Sequence, residues 1–146
     1  MKESAGGLAY NKTHYKTILE KFPDSPIADE AAYKTIPWQK DYKGRPEAPL
    51  KELSCLEKVL EKYPTTSYRC EILFKMARRC HILYEIYSFS LLTGIRDRQR
   101  AEQYRSKGIY LYKLTLKSPD HTKYSQKAWR GLRMLEERQG RIYILQ

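Results

Sequence analysis

The residues best suited to nucleophilic or metal chemistry are three histidines and three cysteines, and their spacing does not assemble a catalytic site. Cys80 and His81 are adjacent, so their side chains would diverge around a helix instead of facing one metal ion. The sequence has no Cys-x-x-Cys pair, no His-x-x-x-His pair and no glycine-rich phosphate loop. We therefore expect a protein that is not an enzyme and that uses no metal or cofactor.

Arginine and aromatic residues in the second half of the chain form the one group with a clear chemical use. Arginines and aromatic rings together are typical of single-stranded nucleic acid binding and, equally, of protein interfaces. Arginines at the start of a helix oppose the helix dipole, which favours a binding role for those flanking Asp97. We predict a partner-binding surface made of the following residues: Arg96, Arg98, Arg100, Tyr104, Arg105, Tyr124, Lys127, Arg130 and Arg133.

The net charge of +11 is concentrated in the same half of the chain. Residues 1–73 contain 12 Lys or Arg against 11 Asp or Glu, whereas residues 74–146 contain 16 against 6. Such a basic half can attract nucleic acid, acidic lipid or an acidic protein surface. No run approaches the ~20 apolar residues of a transmembrane span. Residues 1–7 lack the apolar core of a signal peptide, and we expect them to be flexible.

Three proline-centred breaks organise the elements that must position these residues. Pro23, Pro64 and Pro119 each separate two amphipathic helices, and the flanking apolar residues recur at the same offsets from each proline. The breaks are 41 and 55 residues apart, which indicates stacked helical hairpins with insertions. Because Trp129 occupies a repeated apolar position, we expect it in the core.

The pattern predicts an all-α fold of about six helices in a single domain over residues 8–146. The helices are expected over residues 8–22, 26–36, 50–63, 68–92, 97–117 and 122–138, with the fourth as the buried centre. Glycine and proline residues make 37–49 an irregular linker, which is either a binding loop or a plain insertion. The cysteines are odd in number, so we expect small buried residues rather than a disulfide framework.

Two of the breaks resemble the tetratricopeptide-repeat (TPR) superfamily. They read Leu-Glu-Lys-Phe-Pro-Asp-Ser-Pro over residues 19–26 and Leu-Glu-Lys-Tyr-Pro-Thr-Thr-Ser over residues 60–67. This version is similar to the one in bacterial outer-membrane-assembly lipoproteins and periplasmic cell-division coordinators. The resemblance covers most of residues 8–138. It implies TPR-like stacked hairpins that form an α-solenoid wound as a right-handed superhelix, and a location in the bacterial periplasm or cell envelope.

The chain departs from the usual TPR pattern at one repeated pair of residues. The Leu-Gly pair of a regular repeat aligns with Ala32-Tyr33, Leu73-Phe74 and Ala128-Trp129. An aromatic residue replaces the glycine each time, so we expect the helices to lie further apart there. The third break also has Ser118 where the other two have an aromatic residue before the proline.

The leading hypothesis is a non-enzymatic scaffold or adaptor that binds an acidic or extended protein segment through a groove and the basic C-terminal half. By resemblance, such folds bind peptides or partner domains and have no catalysis of their own. The first alternative is a nucleic-acid-binding helical repeat that uses the same basic face. The second is a structural part of a larger solenoid, suggested by the apolar segment over residues 141–146.

Overall fold

The structure, a computed structural model, describes residues 13–138. The predicted flexible start over residues 1–7 and the apolar segment over residues 141–146 lie outside the described residues. Residues 13–138 form six α-helices and one short 3₁₀ helix and contain no β-strand, so the predicted all-α fold is confirmed. The helices are α1 (residues 13–21), α2 (Ala28–Lys34), α3 (Glu47–Lys62), α4 (Arg69–Phe89), α5 (Arg98–Lys117), the 3₁₀ helix (His121–Lys123) and α6 (Ser125–Glu136).

Several helix boundaries differ from the predicted ones, and two of these differences have clear local reasons. α4 ends at Phe89 instead of Leu92, because Ser90 adopts an extended backbone and its hydroxyl donates a hydrogen bond to the Gly44 carbonyl (2.9 Å). α3 begins at Glu47, so Pro49 lies in its first turn, where a missing backbone N–H costs nothing. The irregular linker therefore ends at residue 46.

α4 is the buried centre of the fold, as predicted. Ile72, Ala77 and Glu85 lie on different sides of this helix and are each 0% exposed. A helix that is buried around most of its circumference must be covered on several sides. α3 and α5 supply that cover as antiparallel neighbours of α4, and α6 packs antiparallel to α5. The right-handed superhelix stays a prediction.

The close packing of α5 against α6 depends on two glycines, neither of which the repeat pattern predicts to be important. A Cβ atom on Gly131 of α6 would lie 2.4 Å from Cζ of the buried Tyr112. A Cβ on Gly108 of α5 would lie 2.8 Å from Cδ1 of Leu135. The glycines that let α5 and α6 pack closely are therefore not at the position that a regular TPR uses.

The expected core position of Trp129 is wrong, since its side chain is 61% exposed. The equivalent residues after the first two breaks, Tyr33 and Phe74, are 3% and 5% exposed. Each of these two rings is covered by the start of the next hairpin, and no described helix follows α6. Cys70 and Cys80 are buried free thiols as expected, whereas Cys55 is only half-buried.

Candidate functional site

A groove of about 540 Å³ lies between the irregular segment 39–44 and α4, and we call it the α4 groove. The residues that line it include Phe74, Ile82 and Ile86 on its apolar side. Asp41 is the only acidic residue among the described lining residues. Its cationic lining residues are Lys40, Lys43, Lys75, Arg78 and Arg79. The groove thus combines an apolar wall with an excess of positive charge.

Glu52 of α3 holds the wall of the groove in place from beneath. The residue is 2% exposed, and its carboxylate accepts hydrogen bonds from the Gln39 N–H (2.8 Å) and the Tyr42 hydroxyl (2.6 Å). The carboxylate also pairs with Nε of Arg79 (3.1 Å). Burial, and then the hydrogen bond to Glu52, raise the pKa of Tyr42 to about 12. A buried carboxylate with three donors is satisfied, so it can fix the irregular segment against α4.

The tip of the irregular segment needs glycine at one position. Lys43 and Gly44 both have a left-handed backbone, with φ of 53° and 71°. A Cβ on Gly44 would lie 3.1 Å from Oγ of Ser90, which donates its hydrogen bond to the Gly44 carbonyl. The backbone N–H of Lys43 is held by Oδ1 of Asp41 (2.9 Å). The segment is therefore an ordered wall of the groove.

The Trp38 ring contacts two of the cations that line the groove. The Arg79 guanidinium carbon lies 4.6 Å from the ring centroid, and Nζ of Lys75 lies 4.8 Å from it. Trp38 remains 39% exposed. Cation–π contacts of this kind orient the cations, and they leave the N–H donors able to bind an anion.

Lys75 is a half-buried cation in the middle of α4. Burial lowers its pKa; Glu71 opposes this change, and the neighbouring charges of Arg79, Lys34 and Lys123 add to it. Among the described residues, no ion pair joins Lys75 to a carboxylate. A lysine that is desolvated and surrounded by like charges gains stability when an anion approaches. Lys75 is therefore a candidate anion contact of the α4 groove.

Two members of the predicted partner-binding surface are engaged inside the fold. Arg105 donates hydrogen bonds to the carbonyl oxygens of Leu135 (2.8 Å, from Nε) and Glu136 (3.3 Å), at the C-terminal end of α6. The Tyr104 ring stacks on Tyr87 at a centroid distance of 5.9 Å. Both side chains therefore join helices, and their predicted role in partner binding stays a prediction.

Arg96 and Arg100 also have contacts near the start of α5. Nε of Arg96 donates to the Ser90 carbonyl (2.9 Å), which follows the last turn of α4. The Arg100 guanidinium carbon lies 5.7 Å from the Tyr87 ring centroid, and its Nε lies 3.5 Å from Oδ2 of Asp97. The unfavourable dipole position of these arginines is thus offset by specific acceptors nearby.

Tyr124 lies at the start of α6 and contacts α4. Its ring stacks on Phe74 at 5.0 Å, and its hydroxyl donates to Oε1 of Glu71 (2.6 Å). Although burial acts in the opposite direction, this hydrogen bond helps to lower the pKa of Glu71. Burial, and then the bond to Glu71, raise the pKa of Tyr124.

The remaining four predicted residues project into solvent. Arg98, Lys127 and Arg130 are exposed, and each lacks an ion pair with another described residue. Arg133 pairs with Glu137 one helical turn away, at 3.0 Å between Nε and Oε1. Arg98 lies on α5 and the other three on α6, so the structure does not gather the whole predicted set around one cavity.

The predicted surface missed the cations of α4, although the sequence contained a signal for them. Lys75, Arg78 and Arg79 are spaced to share one side of a helix that is otherwise strongly apolar. A cluster of cations on one side of a buried helix indicates that this side is not fully covered by another helix. The sequence does not distinguish a binding loop from an insertion in the irregular segment, and in the structure residues 39–44 form the opposite wall of the groove.

Other kinds of site receive no support from residues 13–138. In this part of the chain no group of three or more His, Cys, Asp or Glu side chains could hold a metal ion. Among the described helices, none has the length and apolar character needed to cross a membrane.

Comparison of the chain with protein-family models, with curated proteins and with solved structures gives no match. The TPR resemblance therefore stays a prediction that depends on the proline-centred breaks.

Proposed function

We propose that this protein is a non-enzymatic binding module that holds an acidic, extended protein segment in the α4 groove. The observation that carries the proposal is Lys75, a half-buried cation without an ion pair among the described residues, beside Arg78 and Arg79. A carboxylate entering the groove would relieve the mutual repulsion of these charges and would form charge-assisted hydrogen bonds.

The shape of the groove favours a peptide over a small anion. Its volume of about 540 Å³ suits several side chains, and its apolar wall includes Phe74 and Ile82. Trp38, whose ring contacts the lining residues Lys75 and Arg79, adds a partly exposed aromatic surface next to them. Alternating acidic and apolar side chains could use both kinds of lining. From the resemblance alone, we also propose that the module acts as a scaffold in a bacterial cell-envelope assembly.

Fluorescence anisotropy with a labelled peptide of alternating Glu and Leu, at near-physiological salt, tests the proposal. We expect Lys75→Met to weaken binding about tenfold, because one charge-assisted contact is worth ~1.5–3 kcal/mol. The matched control is Lys113→Met, which removes one charge from the exposed side of α5 and should change affinity less than twofold. Equal affinities of the two variants would contradict a site in the α4 groove.

Single-stranded nucleic acid is the second candidate ligand. The observation that favours it is the exposed Trp38 ring with Arg79 and Lys75 against it, since bases stack on such platforms. A labelled oligonucleotide in the same assay separates the two candidates. Binding that disappears on raising the salt to physiological levels would reflect only counterion release on a basic surface. Binding that persists and is lost in Trp38→Ala would favour nucleic acid.

A further inference from the structure

The first joint between hairpins is made by a tyrosine that enters a socket on α2. Tyr68 lies immediately before α4, and its ring centroid is 5.1 Å from that of Tyr33. Its hydroxyl donates a hydrogen bond to Oε1 of Glu30 (2.7 Å). Lys34 adds a cation 5.6 Å from the Tyr68 ring centroid. The ring and the acceptor form what we call a tyrosine socket, and in this joint the cation lies beside it.

The second joint repeats the ring and the acceptor of this arrangement on α4. Tyr124 lies immediately before α6, with its ring centroid 5.0 Å from Phe74 and its hydroxyl 2.6 Å from Oε1 of Glu71. Glu30 and Glu71 both stand seven residues after the proline of their break, and the socket rings both stand ten residues after it. The chain therefore attaches each new hairpin through a ring and an acceptor at equivalent positions, although Tyr68 follows its proline by four residues and Tyr124 by five.

The residues at the same positions after the third break form a third socket, and no tyrosine among the described residues occupies it. Gln126 stands seven residues after Pro119, Trp129 stands ten residues after it, and Arg130 occupies the position of Lys34. Gln126 and Arg130 are exposed, and Trp129 is 61% exposed. The socket rings of the two filled joints are at most 5% exposed. The end face of α6 thus has the residues of a joint without a tyrosine in it.

We propose that Gln126 and Trp129 form a docking socket for a helix of a partner protein that begins with a tyrosine. The incoming ring would lie against Trp129, its hydroxyl would donate to the amide oxygen of Gln126, and Arg130 would face the ring. The argument is continuity with two joints of the same geometry in this chain. Glutamine is a neutral acceptor and gives a weaker bond than the glutamates of the internal joints, which suits a partner that dissociates.

A stapled helical peptide that copies residues 66–82, with Tyr68 at its start, serves as the probe. Its helicity is first checked by circular dichroism, and its binding to the full chain is then measured by fluorescence anisotropy. We expect Trp129→Ala to weaken binding tenfold or more, because exposed aromatic anchors dominate such contacts. The matched control is Tyr110→Ala on α5, which removes another 61% exposed ring and should change affinity less than twofold.

A gain of affinity provides the sharper test. Gln126→Glu restores the carboxylate of the internal sockets, so we expect it to tighten binding about fivefold through a charge-assisted bond. The gain should vanish with a peptide in which Tyr68 is replaced by Phe, because the hydroxyl is then missing. This pair of changes isolates the proposed hydrogen bond from general charge effects.

Several outcomes would overturn the proposal. They are absence of binding by the helical peptide, equal binding by Trp129→Ala, and equal binding of a peptide with Ala in place of Tyr68. Self-association of the chain that Trp129→Ala abolishes, detected by sedimentation equilibrium, would assign the face to a second copy and would also overturn it. The acidic-peptide assay should be unchanged in Trp129→Ala, so failure of the socket and failure of the α4 groove are distinguishable.

Discussion

The α4 groove and the predicted basic surface on α5 and α6 contain the same residue types but use them differently. On α5, the Arg105 guanidinium binds two carbonyl oxygens of α6, and Arg100 lies against Tyr87 and Asp97. In the groove, Lys75 is half-buried and has no ion pair among the described residues. The number of cations in a segment therefore says little about how many of them can bind a partner.

The difference follows from where helices end. The last carbonyl groups of a helix have no intrahelical partner, so they accept hydrogen bonds from any nearby guanidinium. Arg96 and Arg105 face such ends, at the close of α4 and of α6. Lys75 lies in the middle of α4, where the backbone carbonyl groups already accept bonds from the helix. No helix end therefore takes up its ammonium group, and among the described residues no carboxylate forms an ion pair with it.

The largest effect should come from removing the carboxylate that supports the groove. Glu52→Ala leaves Arg79 and the Gln39 N–H without their acceptor, so we expect a loss of roughly 3 kcal/mol in the free energy of unfolding. The acidic peptide should also bind more weakly, because segment 39–44 loses its anchor. Urea unfolding measures the first effect. Glu61→Ala, an exposed change on the same helix, should cost less than about 0.5 kcal/mol.

A loss below about 1 kcal/mol in Glu52→Ala would mean that the irregular segment holds its position without this carboxylate. The contrast between an ordered groove wall and an insertion would then disappear, and the case for the groove would weaken with it.

A smaller effect should separate structural arginines from exposed ones. Arg105→Met keeps the apolar stem but loses both bonds to the end of α6, so we expect a loss of about 2 kcal/mol in the free energy of unfolding. Arg98→Met removes an exposed cation without an ion pair among the described residues and should change this free energy by less than about 0.5 kcal/mol. Equal unfolding free energies would show that the carbonyl contacts contribute nothing.

The smallest effect should come from charge reversal on the surface that the sequence predicts. We expect Arg98→Glu with Arg100→Glu to leave helicity and melting temperature unchanged. This double change should weaken binding of the acidic peptide less than about threefold, because it acts only through screened long-range charge. Lys75→Glu with Arg78→Glu makes the same charge change in the groove and should weaken binding of the peptide far more. If the first pair abolished binding and the second did not, the site would lie on α5 instead of the groove.

The sequence could predict the helices because their signals are local. Pro64 cannot continue a helix, so it ends α3 whatever packs around it. In the turn that follows, the Thr66 hydroxyl accepts a hydrogen bond from the Tyr68 N–H (3.2 Å). The exposure of Trp129 could not be predicted in this way. Its repeat position is buried only when another hairpin follows, as Tyr68 covers Tyr33. The close contact of Gly131 with Tyr112 was equally hidden, because it depends on the distance between α5 and α6.

By itself, the sequence determined the all-α class, the approximate extent of the helices and the central place of α4, because apolar periodicity and proline breaks act within a few residues. Tertiary structure alone decided which cations remain available. Arg105 is bound by a helix end 30 residues away, and Glu52 reaches Arg79 across 27 residues. Partners so distant in the chain are set by packing, and no local pattern encodes them.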